Sequence, residues 1–390
     1  MRVLIMVGAE KPPVFIANLV YQLADRGIHV GLFGKNTTIS PHPNISFVHS
    51  DYTTFSSVRI LGYIISSLFY SPILVHKAFG LVDHSADKKV RIKMMFRIIK
   101  ILRFSPDVIH IQWPMHATYL TKFIESQVIK VIISLRGSQI NVKPYTDVSV
   151  NKLYQQIFPF CYFHSVSENL KIKSLTWHAN NERVKVIYSP VSRLFLNAFV
   201  KNKQKRSSSL RILSIGRFHW VKGYNYAIEA IKILKAKNVE CNYTIVADNE
   251  VPAELLYQIK DAGLTNTVSI RGGVLHDKIP LLLRDYDVFL LPSVEEGIAN
   301  VVIEAMAQGL PVISTNCGGI NELIANGQNG WLVPVRDPHA MAQALEEFSW
   351  LPVATVDEIR NEAHLAVKKK FSTENIDHFI GFYKWVISQE

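Results

Sequence analysis

Cysteine is scarce in this sequence, and the cysteines that occur are far apart. Cys161, Cys241 and Cys317 are the three present among 390 residues, and none belongs to a CxxC or Cys/His pattern. A disulfide framework requires paired cysteines, and a structural zinc site requires closely spaced ligands. The sequence therefore argues against both and favours a reducing compartment such as the cytoplasm.

Acidic residues are outnumbered by basic ones. The sequence holds 43 Lys and Arg against 32 Asp and Glu, a formal net charge of +11, while 48% of its residues are hydrophobic and 19% are charged. This much apolar material excludes a disordered chain and, at this length, predicts two buried cores. The positive excess fits anionic partners such as nucleotides, nucleic acid or an acidic membrane, but it equally fits a role in solubility alone.

Long uninterrupted hydrophobic runs are also missing. Residues 1–8 include an apolar run that is too short for the core of a signal peptide, so we predict a first β-strand there. Residues 60–82 are strongly apolar, but Pro72, His76 and Lys77 interrupt them. Because a membrane-spanning helix normally needs about 20 consecutive apolar residues, this stretch is predicted not to cross a membrane.

Several motifs of phosphate and metal chemistry are absent. The sequence has no GxxxxGK(S/T) P-loop, no GxGxxG dinucleotide fingerprint, no HExxH and no GxSxG. A DxD-like triplet does occur, from Asp285 to Asp287, but it lies where a strand is predicted to begin. We interpret Asp287 as a residue of the helix-to-strand junction rather than a metal ligand, and we expect neither a metal nor a cofactor.

The sequence is rich in short apolar runs that alternate with stretches of helical length. The runs contain much Val and Ile and no polar alternation, which is typical of parallel strands covered by helices on both faces. In the first half they occupy residues 3–7, 28–33, 107–112, 130–135, 161–166 and 184–188; in the second half they occupy residues 210–215, 242–247, 267–271, 287–291 and 311–314.

A polar linker separates the two sets of runs. Residues 201–206 read Lys-Asn-Lys-Gln-Lys-Arg and are followed by three serines, without apolar periodicity. The last segment, about 374–390, is predicted to be an aromatic-rich helix that packs on one of the domains. We therefore predict an α/β protein with two doubly wound, Rossmann-like domains that face a central cleft, namely residues 1–188, a linker at 189–209, and residues 210–373.

Residues 88–103 form a strongly basic segment that contains no acid. On a helix, most of its cations share one stripe, opposite most of the apolar residues, namely Lys89, Lys93, Arg97, Lys100 and Arg103. Two interpretations stay open: a core helix with a solvated basic face, or a helix that docks on an anionic membrane, such as the inner face of the plasma membrane. Nucleic acid is not expected as a partner, because no binding motif is present and aromatic residues do not alternate with the charges.

One turn carries the residue types that bind a diphosphate. Residues 214–223 directly follow a predicted strand, and strand ends are where ligands bind in open α/β sheets. Gly216 allows a tight turn, from which Arg217 and Lys222 project. A guanidinium that donates paired hydrogen bonds and a point-charge ammonium can share a diphosphate between them.

A second segment, residues 291–307, follows the strand predicted at 287–291. Glu296 and Gly297 form a turn, and Ala299 or Asn300 opens a helix whose free backbone N–H groups favour an anion. Glu304 lies about one turn into that helix. The two carboxylates are therefore spaced to accept hydrogen bonds from sugar hydroxyls on either side of a phosphate.

At these residues the chain resembles the family-4 retaining glycosyltransferases, or glycosyl transferases group 1, which have the GT-B fold. Glu296 and Glu304 match the family's Glu-x7-Glu motif, and the turn from Gly216 to Gly223 matches its Gly-Arg…Lys-Gly turn. Residues 307–322 match the segment that follows in the family. The likeness is close from about 210 to 338 and looser in the first half, at residues 106–110 and 167–170.

The resemblance implies a role for each matching position. Arg217 and Lys222 would stabilise the diphosphate leaving group without a metal. Glu304 would bind the ribose hydroxyls and Glu296 the donor sugar. The family also implies that the anomeric configuration is retained and that a C-terminal helix crosses back to the first domain. Gly216 would also belong to the donor site. Backbone groups of Ile270 and Arg271 would hold the base. The distal phosphate or the sugar would be bound by backbone groups of Gly297, Ile298, Ala299, Asn300 and Val301.

The first half departs from the family at two places. Many members carry a histidine after the strand that corresponds to residues 130–135, and here that position is Arg136. An arginine cannot act as a base, but it can donate to a phosphate or sugar oxygen, so Arg136 joins Glu296, Arg217 and Lys222 as a predicted catalytic residue. The glycine-rich acceptor loop is reduced to residues 8–13. We assign Gly8 and His110 to the acceptor side, with a buried, hydrogen-bonded His110 as the alternative.

The sequence as a whole predicts a cytoplasmic, retaining, metal-independent glycosyltransferase of the hexosyltransferase type. Its donor would be a UDP- or GDP-sugar. Its acceptor would be a hydroxyl of a growing glycan, including a lipid-linked one, in polysaccharide, capsule or lipopolysaccharide synthesis. Two alternatives stay open: a non-catalytic protein of the same fold that binds a nucleotide-sugar or glycan, and a GT-B-type nucleotide-sugar epimerase.

Overall fold

A computed structural model describes residues 1–8, 12–34, 39–49, 56–200 and 209–389. The chain divides into two compact units: the first comprises Met1–Ser189 together with Glu374–Glu390, and the second comprises Pro190–Thr373. Each unit has its own parallel sheet and its own hydrophobic core. The predicted α/β class, with two Rossmann-like sheets, is confirmed.

The sheet of the first unit has seven strands among the described residues, all parallel, in the order β3-β2-β1-β4-β5-β6-β7. Its central strands are buried on both faces, which is why their sequences read as continuous apolar runs. The strands are β1 (Arg2–Met6), β2 (His29–Gly34), β3 (Ile45–His49), β4 (Val108–Ile111), β5 (Lys130–Leu135), β6 (Tyr162–Ser165) and β7 (Val184–Val186).

The helices of the first unit occupy most of the chain between these strands. The basic segment forms one of them, which begins where the Asp87 carboxylate accepts a hydrogen bond from the Lys89 N–H at 2.8 Å. The helices are α1 (Val14–Asp25), α2 (Ser56–Tyr70), α3 (Pro72–Gly80), α4 (Lys88–Phe104), α5 (Thr121–Glu125), α6 (Gly137–Asn141), α7 (Lys143–Thr146), α8 (Val148–Ile157) and α9 (Glu168–Leu175).

The second unit repeats the architecture with six parallel strands in its described part, in the order β10-β9-β8-β11-β12-β13. The strands are β8 (Leu210–Ile215), β9 (Cys241–Val246), β10 (Val268–Arg271), β11 (Val288–Leu291), β12 (Val312–Thr315) and β13 (Trp331–Val333). The helices are α10 (Arg193–Asn197), α11 (Tyr224–Ala236), α12 (Ala253–Asp261), α13 (Ile279–Arg284), α14 (Asn300–Ala307), α15 (Pro338–Trp350) and α16 (Val353–Lys370).

The boundary between the units differs from the predicted linker at 189–209. The chain from Pro190 onward belongs to the second unit, and α10 lies within the expected linker. The helix is held there because Phe195 is fully buried, with its ring centroid 5.0 Å from that of His276. Burying one Phe side chain contributes about 1.5–3 kcal/mol, enough to fix this short segment. The basic run at 201–206 lies outside the described residues.

The last helix, α17 (Asn375–Ile387), packs on the first unit rather than the second. Its buried face includes Phe379 and Tyr383, which join the core formed by α1 and the strands β1 and β2. The Tyr383 hydroxyl lies 2.7 Å from Nδ1 of His110 on β4. The chain therefore returns to its first unit at its end, as the family resemblance implies.

None of the helices in the described ranges is both long and apolar enough to cross a membrane. The strongly apolar residues 60–82 instead form parts of α2 and α3, separated at Ser71 and Pro72. The proline occupies the first position of α3, where a helix tolerates a missing N–H group.

Candidate functional site

Three loops of the second unit meet where β8, β11 and β12 end. Backbone hydrogen bonds join them: the N–H of Val294 donates to the carbonyl oxygen of Val221 at 2.7 Å, and the N–H of Gly319 donates to that of Gly297 at 2.8 Å. The carboxyl ends of parallel strands are where open α/β sheets bind ligands. The two segments that the sequence analysis selects, 214–223 and 291–307, are thus neighbours in space.

Two glycines allow this close approach. Gly223 has a φ of 63°, and a Cβ there would lie 2.1 Å from the carbonyl oxygen of Pro292. Gly318 has a φ of 57°, and a Cβ there would lie 1.8 Å from the carbonyl oxygen of Glu296. Both the left-handed backbone and the lack of space exclude any side chain. The glycines therefore set the position of the Glu296 loop.

The predicted residues Lys222 and Glu296 are in direct contact. Nζ of Lys222 lies 2.7 Å from Oε1 of Glu296, and the Ser293 hydroxyl donates to the same oxygen at 2.9 Å. The two charged side chains are only 22% and 14% exposed. An ion pair with little solvent exposure and an added hydrogen bond is held in one geometry. This cluster is the best-ordered charged feature at these strand ends.

Glu304 has a different partner. Its Oε1 lies 2.8 Å from Nε2 of His276, and the carboxylate is 15% exposed. His276 begins the single 3-10 turn that precedes α13, after the strand β10. The sequence analysis did not select His276, since nothing in its local sequence reveals that it faces a carboxylate 28 positions away. The site therefore contains a second polar pair besides Lys222 and Glu296.

The side chain of Arg217 is exposed, and within the described chain it forms no hydrogen bond or ion pair. The turn that carries it is nevertheless fixed. The Tyr224 hydroxyl donates to the carbonyl oxygen of Gly216 at 2.7 Å, and the Phe218 N–H donates to Oδ1 of Asn249 at 2.7 Å. An exposed guanidinium on a turn held by hydrogen bonds is accessible to a ligand.

The helix α14 begins beside the Glu296 loop, and its first residue, Asn300, is exposed. The residue before it, Ala299, provides no side-chain cap. The first N–H groups of such a helix lack partners within the helix and carry its positive dipole end. The backbone N–H groups of Ile298, Ala299, Asn300 and Val301 lie at or next to this helix start, and their contact with an anion stays a prediction.

The predicted base-binding residues end the edge strand β10. Ile270 is half-buried, and Arg271 is exposed at the strand terminus. The carbonyl oxygen of Arg271 accepts a hydrogen bond from the N–H of Ala247 at 3.1 Å, so β9 already contacts this part of the backbone.

Asp287 of the DxD-like triplet lies at the predicted helix-to-strand junction. Asp287 immediately precedes β11, and its carboxylate accepts hydrogen bonds from Nε and Nη2 of Arg211 at 3.0 and 2.8 Å. Across the described ranges, no group of three or more His, Cys, Asp or Glu side chains is placed to hold a metal ion.

Arg136 lies in the first unit, directly after β5. Its guanidinium is half-buried, donates from Nη2 to Oε1 of Gln112 at 3.0 Å, and stacks over the ring of Phe15 at 4.6 Å. Burial lowers the pKa of Arg136 to about 10, so it remains charged at neutral pH. No carboxylate pairs with it in the described part of the chain.

Polar atoms without partners surround Arg136. Nε of Arg136, Nε2 of Gln112 and Nδ1 of His116 are buried, and none has a hydrogen-bond partner among the described residues. Burial, and then the charge of Arg97, lower the pKa of His116, which favours its neutral form. The imidazole packs on Gly8, where a Cβ would lie 2.1 Å from Nε2. Gly8, Gln112, His116 and Arg136 thus share one end of the first sheet.

His110 is not at the acceptor side, contrary to its assignment from the sequence. Its side chain is fully buried, and both ring nitrogens have partners: Nδ1 the Tyr383 hydroxyl, and Nε2 the Ser134 hydroxyl at 2.8 Å. Ser134 in turn lies 2.8 Å from Nδ1 of His164. Burial, then the charges of His164 and Arg136, hold the pKa of His110 well below its usual range. A neutral core histidine, the alternative interpretation, agrees with this network.

Comparison with known protein families assigns residues 209–349 to the glycosyl transferases group 1. Among curated relatives, the amylovoran biosynthesis glycosyltransferase AmsK of Erwinia amylovora is 38% identical over 175 residues, which cover 43% of this chain and 42% of AmsK. The alpha-D-kanosaminyltransferase of Streptomyces kanamyceticus is 27% identical over 238 residues, covering 57% of this chain and 62% of the relative. The matches thus span less than two thirds of either relative.

A solved structure extends the likeness to both units. The Anabaena protein HepE in complex with UDP and glucose matches this chain with a TM-score of 0.70 at 17% identity, over 100% of each chain. At this identity the match concerns the fold. Both units therefore have the architecture of known GT-B glycosyltransferases.

Proposed function

The second unit of this chain is a glycosyl transferases group 1 domain, and from that premise we propose that the protein is a glycosyltransferase that uses a nucleoside diphosphate sugar as donor. The observation that carries the proposal is the Lys222–Glu296–Ser293 cluster, held at the strand ends beside the uncapped start of α14. In the reaction, the bond between the anomeric carbon and the diphosphate breaks, a bond from that carbon to the acceptor oxygen forms, and the proton of the acceptor hydroxyl passes to the departing diphosphate. The nucleoside diphosphate departs with increased negative charge.

Stabilising that charge is the main electrostatic task of the site. The ammonium of Lys222 has three N–H donors, and the contact with Glu296 uses one of them. The others would donate to the diphosphate, while Arg217 closes from the opposite side of the turn and the N–H groups at the start of α14 bind the distal phosphate. Fixed donors of this kind typically contribute about 10²–10³ in kcat.

The two carboxylates would hold the hydroxyl groups of the donor. Glu296, anchored by Lys222 and Ser293, would accept hydrogen bonds from the transferred sugar. Glu304, oriented by His276, would accept them from the ribose. Ile270 and Arg271 would flank the base with their backbone. We further propose that transfer proceeds with retention of configuration and without a metal, because cationic side chains and backbone N–H groups supply the charge compensation.

Arg136 is proposed to serve the reaction from the first unit. A half-buried guanidinium without a carboxylate partner is costly unless an anionic or polar ligand completes its hydrogen bonds. Nε of Arg136 and Nε2 of Gln112 have no hydrogen-bond partner among the described residues, so both would donate to a phosphate or sugar oxygen. Gly8 leaves room for His116 beside them.

The donor and acceptor classes follow from the same considerations. HepE was crystallised with UDP and glucose, and AmsK is named for amylovoran biosynthesis. We propose a UDP- or GDP-sugar as donor and a hydroxyl of a growing, lipid-linked glycan as acceptor, in polysaccharide, capsule or lipopolysaccharide synthesis at the cytoplasmic face of the membrane. No cofactor is required for such a transfer.

The experiment that tests the proposal has two stages. First, thermal unfolding is measured with a panel of UDP- and GDP-sugars, because a ligand at 100 times its Kd stabilises the folded state by about 2.7 kcal/mol. Second, the donor that stabilises the protein is incubated with glycan acceptors in EDTA, and transfer is followed by mass spectrometry. Stabilisation by one donor and transfer in EDTA are expected.

Each other outcome has a definite meaning. Donor binding without turnover across the acceptor panel would favour a non-catalytic binding protein. Conversion of the nucleotide-sugar without an acceptor would favour an epimerase. Transfer that EDTA abolishes and Mg²⁺ restores would refute metal independence. No stabilisation by any donor would overturn the proposed site.

A further inference from the structure

Helix α2 carries large apolar side chains on its exposed side as well as on its covered side, with Arg59, Gly62 and Ser66 also exposed. Ile60, Ile64 and Ser67 face the core of the first unit and are buried. On the opposite side the exposed apolar side chains recur at helical spacing. A helix that is apolar all round normally has every face buried in protein or lipid. The outer face of α2 consists of Val58, Leu61, Ile65, Leu68 and Phe69, with exposures between 46% and 82%.

The apolar surface continues past the end of α2 and onto α3. Tyr70 and Ile73, on either side of the break between the two helices, are 81% and 84% exposed. Phe79, near the end of α3, is about half exposed. Single exposed apolar residues are common, but a continuous set of this size marks a site of contact. We call this set, from Val58 on α2 to Phe79 on α3, the α2–α3 face.

The charged side chains of α2 and α3 themselves have one sign, although the exposed Asp87 precedes Lys88 at the start of α4. The sequence contains no Asp or Glu from residue 52 to residue 82. Arg59 and Lys77 are exposed within the face, and Lys88 and Lys89 are exposed at the start of α4, which packs on both helices. A cationic and apolar surface without acids is complementary to an anionic lipid bilayer.

A cavity adjoins the same face. It has a volume of about 640 Å³ and lies between the α2–α3 break, the end of α4 and residues 128–129. Its lining includes Tyr70, Ile73, Leu102, Val128 and Lys77. This volume is in the range of pockets that bind small apolar molecules. A hydrocarbon chain at the surface could therefore be accommodated without rearranging the core.

Helix α4, which the sequence suggests as the membrane contact, has no free apolar face. Met94, Phe96 and Ile98 are buried in the core of the first unit. Several of its cations are also engaged with aromatic rings: Arg97 stacks over Tyr119 at 4.5 Å, and Arg103 donates to the Tyr63 hydroxyl at 3.0 Å. Helix α4 thus packs against α2 with its apolar side and exposes charged side chains such as Lys88 and Lys89.

We infer that the α2–α3 face is a docking surface for an anionic lipid bilayer, on which the first unit lies with the outer side of α2 in the interface. Phe69, Tyr70 and Ile73 enter the boundary between headgroups and hydrocarbon, and Arg59 and Lys77 contact the anionic headgroups. The charge complementarity selects a bilayer over a second copy of this chain, because two copies would bring these cations together. This inference does not depend on the enzyme's activity.

Vesicle flotation tests the inference on the full chain without donor or acceptor. The protein is expected to float with phosphatidylglycerol vesicles and not with phosphatidylcholine vesicles, and binding should weaken as NaCl is raised. Phe69→Ser with Ile73→Ser should lower the partition coefficient at least about tenfold. The control, Ile172→Ser with Val148→Ser, removes two exposed apolar side chains elsewhere on the first unit and should not lower it.

A charge variant separates the two contributions. Arg59→Gln with Lys77→Gln should reduce binding to phosphatidylglycerol vesicles, whereas Lys143→Gln with Lys152→Gln, an equal loss of exposed charge on α7 and α8, should have a smaller effect. If the two double variants lose affinity equally, the attraction is a property of the net charge and the α2–α3 face is not the docking surface.

A fluorescent probe locates the contact. The three native cysteines are buried, so a Ser66→Cys variant can be labelled selectively with an environment-sensitive fluorophore on the outer side of α2. Its emission should shift to the blue on phosphatidylglycerol vesicles and be quenched by brominated lipid, while a probe at Glu182→Cys should respond to neither. A silent Ser66 probe would overturn the inference. So would a dimer in sedimentation without lipid that the Phe69→Ser, Ile73→Ser variant abolishes.

Discussion

The two sheets end in loops of very different electrostatic character. At the strand ends of the second unit, Lys222 is paired with Glu296, and Glu304 faces His276. At those of the first unit, Arg136 is half-buried without a carboxylate in the described residues, and it lies near two histidines, His110 and His164, whose pKa values are lowered. The two sheets share one architecture, but the charged side chains at the strand ends of the second unit are paired, whereas Arg136 in the first unit has no carboxylate partner among the described residues.

The difference shows how each unit can meet a ligand. In the second unit the ion pair is complete before any ligand arrives, so its geometry is fixed, and an incoming diphosphate would bind the donors of Lys222 that Glu296 does not use. In the first unit the guanidinium lacks a counter-charge, so an anionic or sugar oxygen adds hydrogen bonds without displacing any. The second unit therefore holds its charged side chains in a fixed geometry for the ligand, whereas the first unit offers an uncompensated positive charge that attracts an anion.

The largest expected effect concerns the paired charges. Lys222→Ala and Glu296→Gln should each lower kcat by about 10²-fold or more, because each removes a contact that strengthens as the diphosphate departs. The double variant should be scarcely worse than either single one, since the two residues act as a unit. Steady-state kinetics with the donor identified by thermal shift measures all three variants.

A matched ion pair provides the control for this prediction. Lys237 pairs with Glu346 on the same unit, with its side chain about half exposed. Lys237→Ala should leave kcat unchanged, because exposed ion pairs contribute little and this pair is remote in sequence from the site loops. Unchanged turnover in Lys222→Ala would remove that residue from the site.

The next prediction tests whether the close approach of Gly318 to Glu296 holds the Glu296 loop in place. Gly318→Ala places a Cβ against the carbonyl oxygen of Glu296 at a φ of 57°, and should cost about 2–4 kcal/mol of unfolding free energy together with a loss of activity. Gly263 has a similar φ of 66°, and nothing lies closer than 4.0 Å to a Cβ there. Gly263→Ala should therefore cost only about 1 kcal/mol. Denaturant titration gives both values, and equal costs would contradict the close approach.

Arg136 provides the opposite case in the first unit. Arg136→Gln removes an unpaired half-buried charge, so the midpoint of thermal unfolding should rise, while turnover should fall by about tenfold through the loss of charge-assisted hydrogen bonds to the ligand. Calorimetry and steady-state kinetics measure the two changes. If both stability and turnover fall, Arg136 has a structural role, and the proposed contrast between the units fails.

The contrast between the units was only partly accessible from the sequence. Two strands, residues 130–135 and 210–215, are predicted at their observed limits, because burial on both faces gives unbroken apolar runs. The edge strands β3 and β13 are not predicted. β3 reads Ile-Ser-Phe-Val-His, without a continuous apolar run, and β13 has only three residues. The edge strands β7 and β10 are predicted, so β3 and β13 are missed because of their polar pattern and their short length rather than because of their edge position alone.

The site shows the same limit at the level of side chains. Lys222 and Glu296 are predicted to share a ligand, and their contact at 2.7 Å agrees with that placement, while their assigned roles stay predictions. The contact of Glu304 with His276, and the burial of His110, depend on packing between segments far apart in the chain. Sequence spacing carries no information about such contacts, so His110 was assigned to the wrong environment.

The last prediction concerns the buried histidines of the first unit. Burial lowers the pKa of His164 to about 3, whereas the unfolded chain has a value near 6.5. Since the folded pKa is the lower one, the unfolded state binds more protons below pH 6.5, and the associated stability is lost as the pH falls from there towards 3. Protonation of His164 in the unfolded chain should lower the free energy of unfolding by about 1.4 kcal/mol per pH unit in that window. His164→Gln should therefore be less stable at neutral pH but lose less stability on acidification, measured by denaturant titration at several pH values.

The exposed His178 serves as the control, and His178→Gln should keep the pH dependence of the original protein. An unchanged slope in His164→Gln would mean that the neutral histidine network does not separate the first unit from the charge-paired second one.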